Sequence, residues 1–212
     1  MKDHAADVAD ALLEIGAVKL QPRDRFTWAS GLKSPIYTDN RVALAYPKVR
    51  RFLKEALALQ VSTFEHVDAV VGVATAGIPH AALVAEHLSL PMAYVRGAAK
   101  KHGRQNKIEG RLAAGDRVVV IEDLISTGGS SLEAVAALRD VGVEVVATLA
   151  IFTYGFDVAA ERFAKAHVPL RTLSDYPTLI TRAVERGDVT ADDLTALSSW
   201  RAEASAALSS PT

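Results

Sequence analysis

The sequence predicts an α/β fold in which helices flank a parallel β-sheet. Continuous apolar runs recur along the chain at residues 68–73, 91–95, 117–121 and 143–152, with a further candidate at 170–173. Two segments between these runs, 78–88 and 131–141, place their apolar residues at helical spacing. Apolar runs that alternate with helices are typical of buried parallel strands joined by right-handed crossovers.

The region before the first of these strands predicts smaller elements. Residues 3–15 place apolar side chains at helical spacing and are followed by Gly16, which indicates an amphipathic helix. Residues 26–40 mix Ser, Gly, Pro and aromatic residues, which favours a hairpin or an ordered loop beside short strands. Pro47 suits the first turn of a helix that runs to about Gln60.

The end of the chain predicts two more helices, from Asp175 to Arg186 and from Ala191 to about Ala207, the second with Thr190 as its N-cap. No internal repeat or low-complexity linker interrupts the sequence. We therefore expect one domain over residues 1–212, with an N-terminal element at about 1–45, a core sheet at about 65–173 and C-terminal helices.

Composition excludes several classes of protein. Half of the 212 residues are hydrophobic, 23% are charged, the net charge is -1 and there is no cysteine. A near-neutral chain is a poor candidate for non-specific nucleic-acid binding, and the lack of cysteine excludes disulfides, thiolate nucleophiles and thiolate zinc sites. No apolar run approaches the roughly 20 residues of a membrane helix, and residues 1–10 do not resemble a signal peptide. We expect a soluble cytoplasmic protein with neither nucleic acid nor membrane as partner.

The segment with the clearest chemistry is residues 118–130. Four apolar residues lead into Glu122 and Asp123, and the hydroxyl and glycine residues 126–130 then lead into a predicted helix. Glycines, hydroxyls and a helix start form a cradle for an anion such as a terminal phosphate. Carboxylates beside it suit a ribose diol or Mg²⁺. Because neighbouring strand residues point to opposite faces, we expect the chain to leave strand geometry near Asp123 if both acids hold one ribose.

This segment is neither a Walker loop nor a dinucleotide fingerprint, since the chain contains no Gly-Lys-Ser, Gly-Lys-Thr or GxGxxG. Residues 121–130 instead resemble the phosphoribosyl diphosphate signature of the type I phosphoribosyltransferases. The resemblance implies that family's parallel sheet flanked by helices, with a small hood formed by N-terminal elements. It also implies that the two acids hold the ribose hydroxyls and the loop the 5-phosphate. The phosphoribosyl diphosphate residues it assigns here are Glu122, Asp123, Leu124, Ile125, Ser126, Thr127, Gly128, Gly129 and Ser130, with Asp123 also catalytic.

Residues 96–111 form a basic segment directly after a predicted strand. They hold six of the 24 Lys and Arg residues, together with His102 and one acid, Glu109. Their composition predicts a mobile loop over the ligand edge of the sheet, and a solvated loop or a nucleic-acid contact is the alternative. A closing basic loop would neutralise a departing diphosphate and expel water.

Three stretches in and around this segment, at 94–96, 100–103 and 108–110, are similar to the catalytic loop of orotate phosphoribosyltransferases. That loop reaches into the neighbouring subunit's site. The resemblance implies that Arg96, Lys100 and His102 bind phosphoribosyl diphosphate, that Lys100 and His102 are catalytic, and that the protein is a homodimer. Gly97, Ala98 and Ala99 stand where many members carry a further lysine.

Residues 30–41 resemble the N-terminal element of the same enzymes, in which an aromatic residue, here Tyr37, packs on the pyrimidine. Ser126 corresponds to a further orotate contact. Residues 73–79 resemble the family's diphosphate-binding loop. Ala29 and Ala76 replace lysines of some members, and Gly155 replaces an arginine for the orotate carboxylate. Lys33 and Arg41 are the candidates to replace that arginine.

Taken together, these resemblances imply transfer of the phosphoribosyl group from 5-phosphoribosyl 1-diphosphate to orotate in de novo pyrimidine (UMP) biosynthesis. The products are orotidine 5′-monophosphate and diphosphate. Mg²⁺ is expected to bind through the substrate, with no direct protein ligand. One alternative is a phosphoribosyltransferase for a purine or uracil, against which the turn at 34–41 argues. The other is a non-catalytic phosphoribosyl diphosphate sensor that regulates transcription, which would be expected to lose Lys100 and His102.

Overall fold

The structure is a computed structural model that describes residues 4–28, 31–97 and 107–209. Most of the residues singled out above fall within these ranges. Lys100 and His102, expected to be catalytic, lie outside the described residues.

The helices and strands of the described residues account for most of the chain. In chain order they are α1 (Ala5–Glu14), β1 (Val18–Leu20), β2 (Phe26–Thr27), β3 (Lys33–Ser34), β4 (Ile36–Thr38), the 3-10 helix η1 (Asn40–Ala45), α2 (Pro47–Val61), β5 (Ala69–Val73), α3 (Gly77–Leu88), β6 (Met92–Val95), β7 (Ile108–Glu109), β8 (Arg117–Ile125), α4 (Gly129–Asp140), β9 (Glu144–Thr153), α5 (Asp157–Lys165), β10 (Leu170–Asp175), α6 (Tyr176–Arg186) and α7 (Ala191–Ser209). None of the helices placed in these ranges is long and apolar enough to cross a membrane.

A six-stranded sheet in the order β10-β9-β8-β5-β6-β7 forms the centre of the molecule. Every neighbouring pair is parallel except β6–β7, where the short edge strand β7 runs antiparallel. β8 lies between β5 and β9, with Ile121 level with Gly72 on one side and Leu149 on the other. The predicted α/β class, a mostly parallel sheet flanked by helices, is confirmed.

Hydrophobic side chains cover both faces of this sheet. In β8, Val119 and Ile121 belong to a core shared with α1, α2, α3, α6 and α7, whereas Val118 and Val120 belong to a second core with α4 and α5. This alternation is the period-2 pattern of a strand buried on both faces. β8 is consequently held rigidly in the middle layer, and its carboxyl end is a fixed platform for side chains.

The structure changes some predicted boundaries. β8 does not end at Ile121; it stays extended to Ile125, so the expected departure from strand geometry near Asp123 is wrong. The reason is that β9 continues alongside it, with Glu122 level with Ala150 and Ile125 level with Thr153. α5 and β7 were not predicted at all. The predicted N-cap of α7 is confirmed, because Thr190 Oγ1 accepts a 3.3 Å hydrogen bond from the Asp193 N–H.

The N-terminal strands form two antiparallel ladders outside the main sheet, β1 with β4 and β2 with β3. An aromatic cluster joins them to the C-terminal helix, with the Trp28 ring 5.0 Å from that of Tyr154 and 5.8 Å from that of Trp200. Trp200 Nε1 donates a 2.9 Å hydrogen bond to the Lys33 carbonyl oxygen. α7 thereby fixes the N-terminal ladders beside the carboxyl end of β9.

Candidate functional site

A cleft of about 320 Å³ opens at the carboxyl ends of β5 and β8. This edge is where open α/β sheets bind their ligands. Three separate parts of the chain meet there: the N-terminal segment, the turn after β5, and β8 with the start of α4. The lining residues are Thr38, Asp39, Arg41, Ala74, Thr75, Ala76, Glu122, Asp123, Leu124 and Ser130.

The two acids of β8 both line this cleft, although they are neighbours in a regular strand. Glu122 is only 5% exposed. Its Oε2 accepts a 3.1 Å hydrogen bond from Ser131 Oγ, and its Oε1 accepts one of 3.1 Å from the Asp123 N–H. The Glu122 carboxyl is therefore held in one orientation before any ligand binds.

Burial, together with the charge of Asp123, raises the pKa of Glu122 to about 8. Burial also raises the pKa of Asp123. At neutral pH the pair consequently retains a proton. A carboxylic acid beside a carboxylate offers a donor and several acceptors, which suits the two hydroxyls of a ribose.

The turn after β8 is the segment that the sequence predicts as an anion cradle. Gly128 adopts a left-handed conformation with φ +76° and caps α4, which begins at Gly129. A Cβ at Gly128 would lie 2.8 Å from the Phe163 ring, so a side chain there would force this buried ring to shift. Arg162 Nη1 donates a 3.2 Å hydrogen bond to the Thr127 carbonyl oxygen. The first N–H groups of α4 thus start from a fixed turn, ready to bind an anion.

The other predicted residues of this turn occupy different environments. Ser126 and Thr127 are half-buried in the turn, and Ser130, in the first turn of α4, lines the cleft. The Ile125 side chain is 1% exposed and faces the hydrophobic core instead of the cleft. Only the main chain of Ile125 is near polar groups, since its carbonyl oxygen accepts a 3.1 Å hydrogen bond from Thr153 Oγ1.

The turn between β5 and α3 forms the opposite wall. Ala74, Thr75 and Ala76 line the cleft, and the Ala74–Thr75 peptide bond is cis. A Cβ on the next residue, Gly77, would collide with the Ile121 carbonyl oxygen. Glycine at this position lets the start of α3 approach β8 closely, so that its N–H groups face the cleft edge.

Arg96 lies just after β6, at a small cavity of about 30 Å³ that shares Ala74 and Ser130 with the main cleft. Its Nη1 donates a 2.9 Å hydrogen bond to Glu109 Oε1, and its N–H donates one of 2.7 Å to the Lys107 carbonyl oxygen. The two ends of the basic segment are thus joined at the cleft.

The N-terminal candidates divide between cleft and surface. Tyr37 in β4 is 45% exposed, with its ring 5.8 Å from that of Phe26, and it lies beside the cleft lining. Arg41 lines the cleft. Lys33 is exposed and donates a 2.6 Å hydrogen bond to Thr27 Oγ1, away from the acids.

Asn40 was not among the residues predicted from the sequence to form the site. Its side chain is fully buried, and its Nδ2 donates a 2.7 Å hydrogen bond to the Asp123 carbonyl oxygen. Its Oδ1 is buried with no hydrogen-bond partner among the described residues. No spacing in the sequence pointed to this contact, because it joins residues that are brought together only by folding.

Comparisons with known proteins agree with this geometry. Residues 43–184 match the family described as phosphoribosyl transferase domain. The chain is 56% identical over 198 residues to an orotate phosphoribosyltransferase of Staphylococcus saprophyticus, covering 93% of this chain and 98% of that protein.

Solved structures are similar as well. Orotate phosphoribosyltransferase from Aeropyrum pernix matches with a TM-score of 0.74 and 33% identity, covering 86% of this chain and 99% of that one. UMP synthase from Leishmania donovani matches with a TM-score of 0.80 and 28% identity, covering 94% of this chain and 42% of that longer chain. Both cover most of the fold described above.

Proposed function

Because the chain belongs to the orotate phosphoribosyltransferase family, we infer that it transfers the phosphoribosyl group of 5-phosphoribosyl 1-diphosphate to orotate in pyrimidine (UMP) biosynthesis. The products are orotidine 5′-monophosphate and diphosphate. The observation that carries this proposal is the meeting of an acid pair, an anion cradle and a second helix start in one cleft. The relatives named orotate phosphoribosyltransferase favour orotate over a purine or uracil, and an enzyme over a regulator.

We propose one orientation for the donor in the cleft. The ribose hydroxyls would lie on Glu122 and Asp123, whose proton-sharing pair supplies donors and acceptors. The 5-phosphate would lie in the cradle of residues 126–130, and the diphosphate against the turn at 74–76. Arg96 lies next to that turn, in the adjoining small cavity, where it can contact the diphosphate.

The reaction breaks the bond between C1 of the ribose and the diphosphate oxygen, and forms a bond from C1 to N1 of orotate. Positive charge develops on the ribose as the bond breaks, and the negative charge of Asp123 would stabilise it. Orotate attacks as an anion, so no strong general base is required. We propose that Lys100 and His102 neutralise the departing diphosphate.

Magnesium is compatible with this site as a substrate-bound ion. The described residues contain no cluster of three or more His, Asp or Glu side chains that could hold a metal alone. The cleft is lined by the acidic side chains of Asp39, Glu122 and Asp123, and oxygen donors are what Mg²⁺ prefers. We propose that Mg²⁺ would be held together with the substrate next to Glu122 and Asp123. When bound, it supplies electrostatic stabilisation of the diphosphate charge.

We propose that orotate binds at the open edge of the cleft, beside Tyr37. Tyr37 offers an exposed aromatic face for the flat pyrimidine ring, and Ser126 offers a hydroxyl. We further propose a homodimer in which the basic segment 96–111 contributes to the partner's site, and a cytoplasmic location in keeping with a chain that lacks cysteine.

A spectrophotometric assay of orotate consumption tests this function. Loss of orotate should require both phosphoribosyl diphosphate and Mg²⁺, and it should stop when EDTA is added. Uracil, adenine and hypoxanthine serve as competing acceptors. Turnover of one of these bases without turnover of orotate would reassign the substrate, and binding of phosphoribosyl diphosphate without turnover of any base would favour the regulator.

A further inference from the structure

We propose that Arg41 is a binding residue for the diphosphate leaving group, acting from the N-terminal wall of the cleft. The proposal rests on the function proposed above, since it takes phosphoribosyl diphosphate as the donor. Arg41 would supply the positive charge that the side chains of the turn at 74–76 lack.

The charges of the cleft lining point to this role. Asp39, Glu122 and Asp123 are acidic, and Arg41 is the cationic side chain among the described residues that line the cleft. The opposite wall, Ala74 to Ala76, has neutral side chains and offers backbone dipoles but no charge. A diphosphate bound there would carry several negative charges, so a nearby guanidinium is needed to balance them.

Arg41 is held in place before the ligand arrives. Asp39 accepts hydrogen bonds from its Nε at 2.6 Å and from its Nη2 at 3.0 Å, and also from its backbone N–H at 3.2 Å. These hydrogen bonds lower the pKa of Asp39 and raise that of Arg41, so the pair stays charged. The preceding residue, Asn40, is fastened to the Asp123 carbonyl. A side chain oriented in this way loses less entropy when it binds an anion.

Access to Arg41 is nevertheless open. Its side chain is 61% exposed in the single chain, on the cleft side of the N-terminal segment. Arg96 lines the small cavity that shares Ala74 with the cleft. The two cavities that adjoin the diphosphate turn therefore each have an arginine in their lining.

This placement favours the diphosphate over the orotate carboxylate as the partner of Arg41. The cleft that Arg41 lines contains the acid pair and the diphosphate turn. Tyr37, the aromatic face for orotate, is not part of that lining, although it is close enough to Arg41 to contribute to its raised pKa. Binding of Arg41 to the orotate carboxylate is the alternative, and the experiment must distinguish it from binding to the diphosphate.

The test uses the full-length protein with Arg41→Ala, Arg41→Lys and Asp39→Asn. Calorimetry would measure the Kd of inorganic diphosphate with Mg²⁺, and steady-state kinetics the KM of each substrate. Loss of a charge-assisted hydrogen bond predicts a Kd for diphosphate and a KM for phosphoribosyl diphosphate that rise about tenfold or more in Arg41→Ala. The KM of orotate should change less than about twofold, since this subsite makes no contact with the base. For Arg41→Lys and Asp39→Asn, the Kd of diphosphate and the KM of phosphoribosyl diphosphate should lie between the values for Arg41→Ala and for the wild type.

Arg51→Ala is the matched control, because Arg51 is an exposed arginine of α2 outside the cleft. Two results would overturn the proposal: unchanged diphosphate affinity in Arg41→Ala, or a rise confined to the KM of orotate with lost discrimination against uracil. Failure of the function itself would look different, since the wild-type protein would then leave orotate unconsumed. Binding of inorganic diphosphate would still be measurable in that case.

Discussion

The side-chain amide of Asn40 donates a 2.7 Å hydrogen bond to the backbone carbonyl of Asp123, 83 residues further along the chain. This one buried contact joins the segment that carries Tyr37 and Arg41 to the strand that carries the acid pair. The proposed sites for the pyrimidine and for the ribose are thus parts of one connected structure.

Replacing Asn40 tests that connection. Asn40→Ala leaves a buried carbonyl without its donor, which should lower the free energy of unfolding by about 1–3 kcal/mol. Because the acid pair loses its support, the KM of phosphoribosyl diphosphate should also rise. Asn40→Asp should be worse in both respects, since it places an acceptor against the carbonyl beside two acids. Urea unfolding and steady-state kinetics measure the two effects, and a variant with wild-type values for both would show that the contact is dispensable.

Gly128 and Gly129 are neighbours in the proposed anion cradle, so alanine at each position allows a controlled comparison. Gly128→Ala forces a side chain into a left-handed conformation and against Phe163, at a cost of about 1–3 kcal/mol from the backbone alone. Gly129→Ala meets no atom within 4 Å, so it should leave stability nearly unchanged. Thermal denaturation should therefore show a melting temperature several degrees lower for Gly128→Ala only. Equal melting temperatures would contradict the proposed steric role of Phe163.

The raised pKa of Glu122 predicts that the stability of the protein depends on pH. Its pKa is about 8 in the folded protein against 4.5 for an ordinary glutamate. Between these values the folded protein keeps a proton that the unfolded chain has released, so the free energy of unfolding falls as pH rises through this window. The slope is at most about 1.4 kcal/mol per pH unit for one group.

Glu122→Gln should remove this contribution and flatten the profile between pH 5 and pH 8. Urea unfolding at several pH values measures it for both proteins. His80, whose pKa burial lowers to about 4, contributes equally to the two profiles and cancels in their difference. Parallel profiles for wild type and variant would show that Glu122 titrates normally.

The proposed role of Lys100 predicts an effect on turnover. Lys100→Ala should reduce turnover by about 10²-fold or more while the KM values change little, because charge on the departing diphosphate develops mainly in the transition state. Lys101→Ala is the neighbouring control and should retain most of the activity. Single-turnover measurements would separate the chemical step from product release. Unchanged turnover in Lys100→Ala would remove the basic segment from the mechanism.

The alternation of apolar runs and helices was enough to predict the sheet, because strands buried on both faces leave continuous hydrophobic sequence. The end of β8 was not predictable in the same way. Glu122 and Asp123 look like a strand terminus, yet neighbouring β9 supplies hydrogen-bond partners as far as Thr153 and keeps the chain extended. α5 was not predicted because only three residues separate its nine residues from a long apolar strand.

The candidate site was predictable where its residues are contiguous in sequence, as in the acid pair and the glycine turn. Asn40 could not be found, since its importance depends on a carbonyl in a different element. The same holds for the different positions of Lys33 and Arg41, because only the folded chain shows that Lys33 contacts Thr27 and that Arg41 lines the cleft.

The aromatic cluster around Trp200 gives the protein a built-in optical probe. The chain has two tryptophans, and both indole rings sit at the junction between the N-terminal ladders and α7. Tryptophan fluorescence, excited near the red edge of protein absorption, therefore reports on the junction between the N-terminal ladders and α7, and not on the central sheet. A shift in its emission on titration with orotate would report movement of the N-terminal wall without any added label.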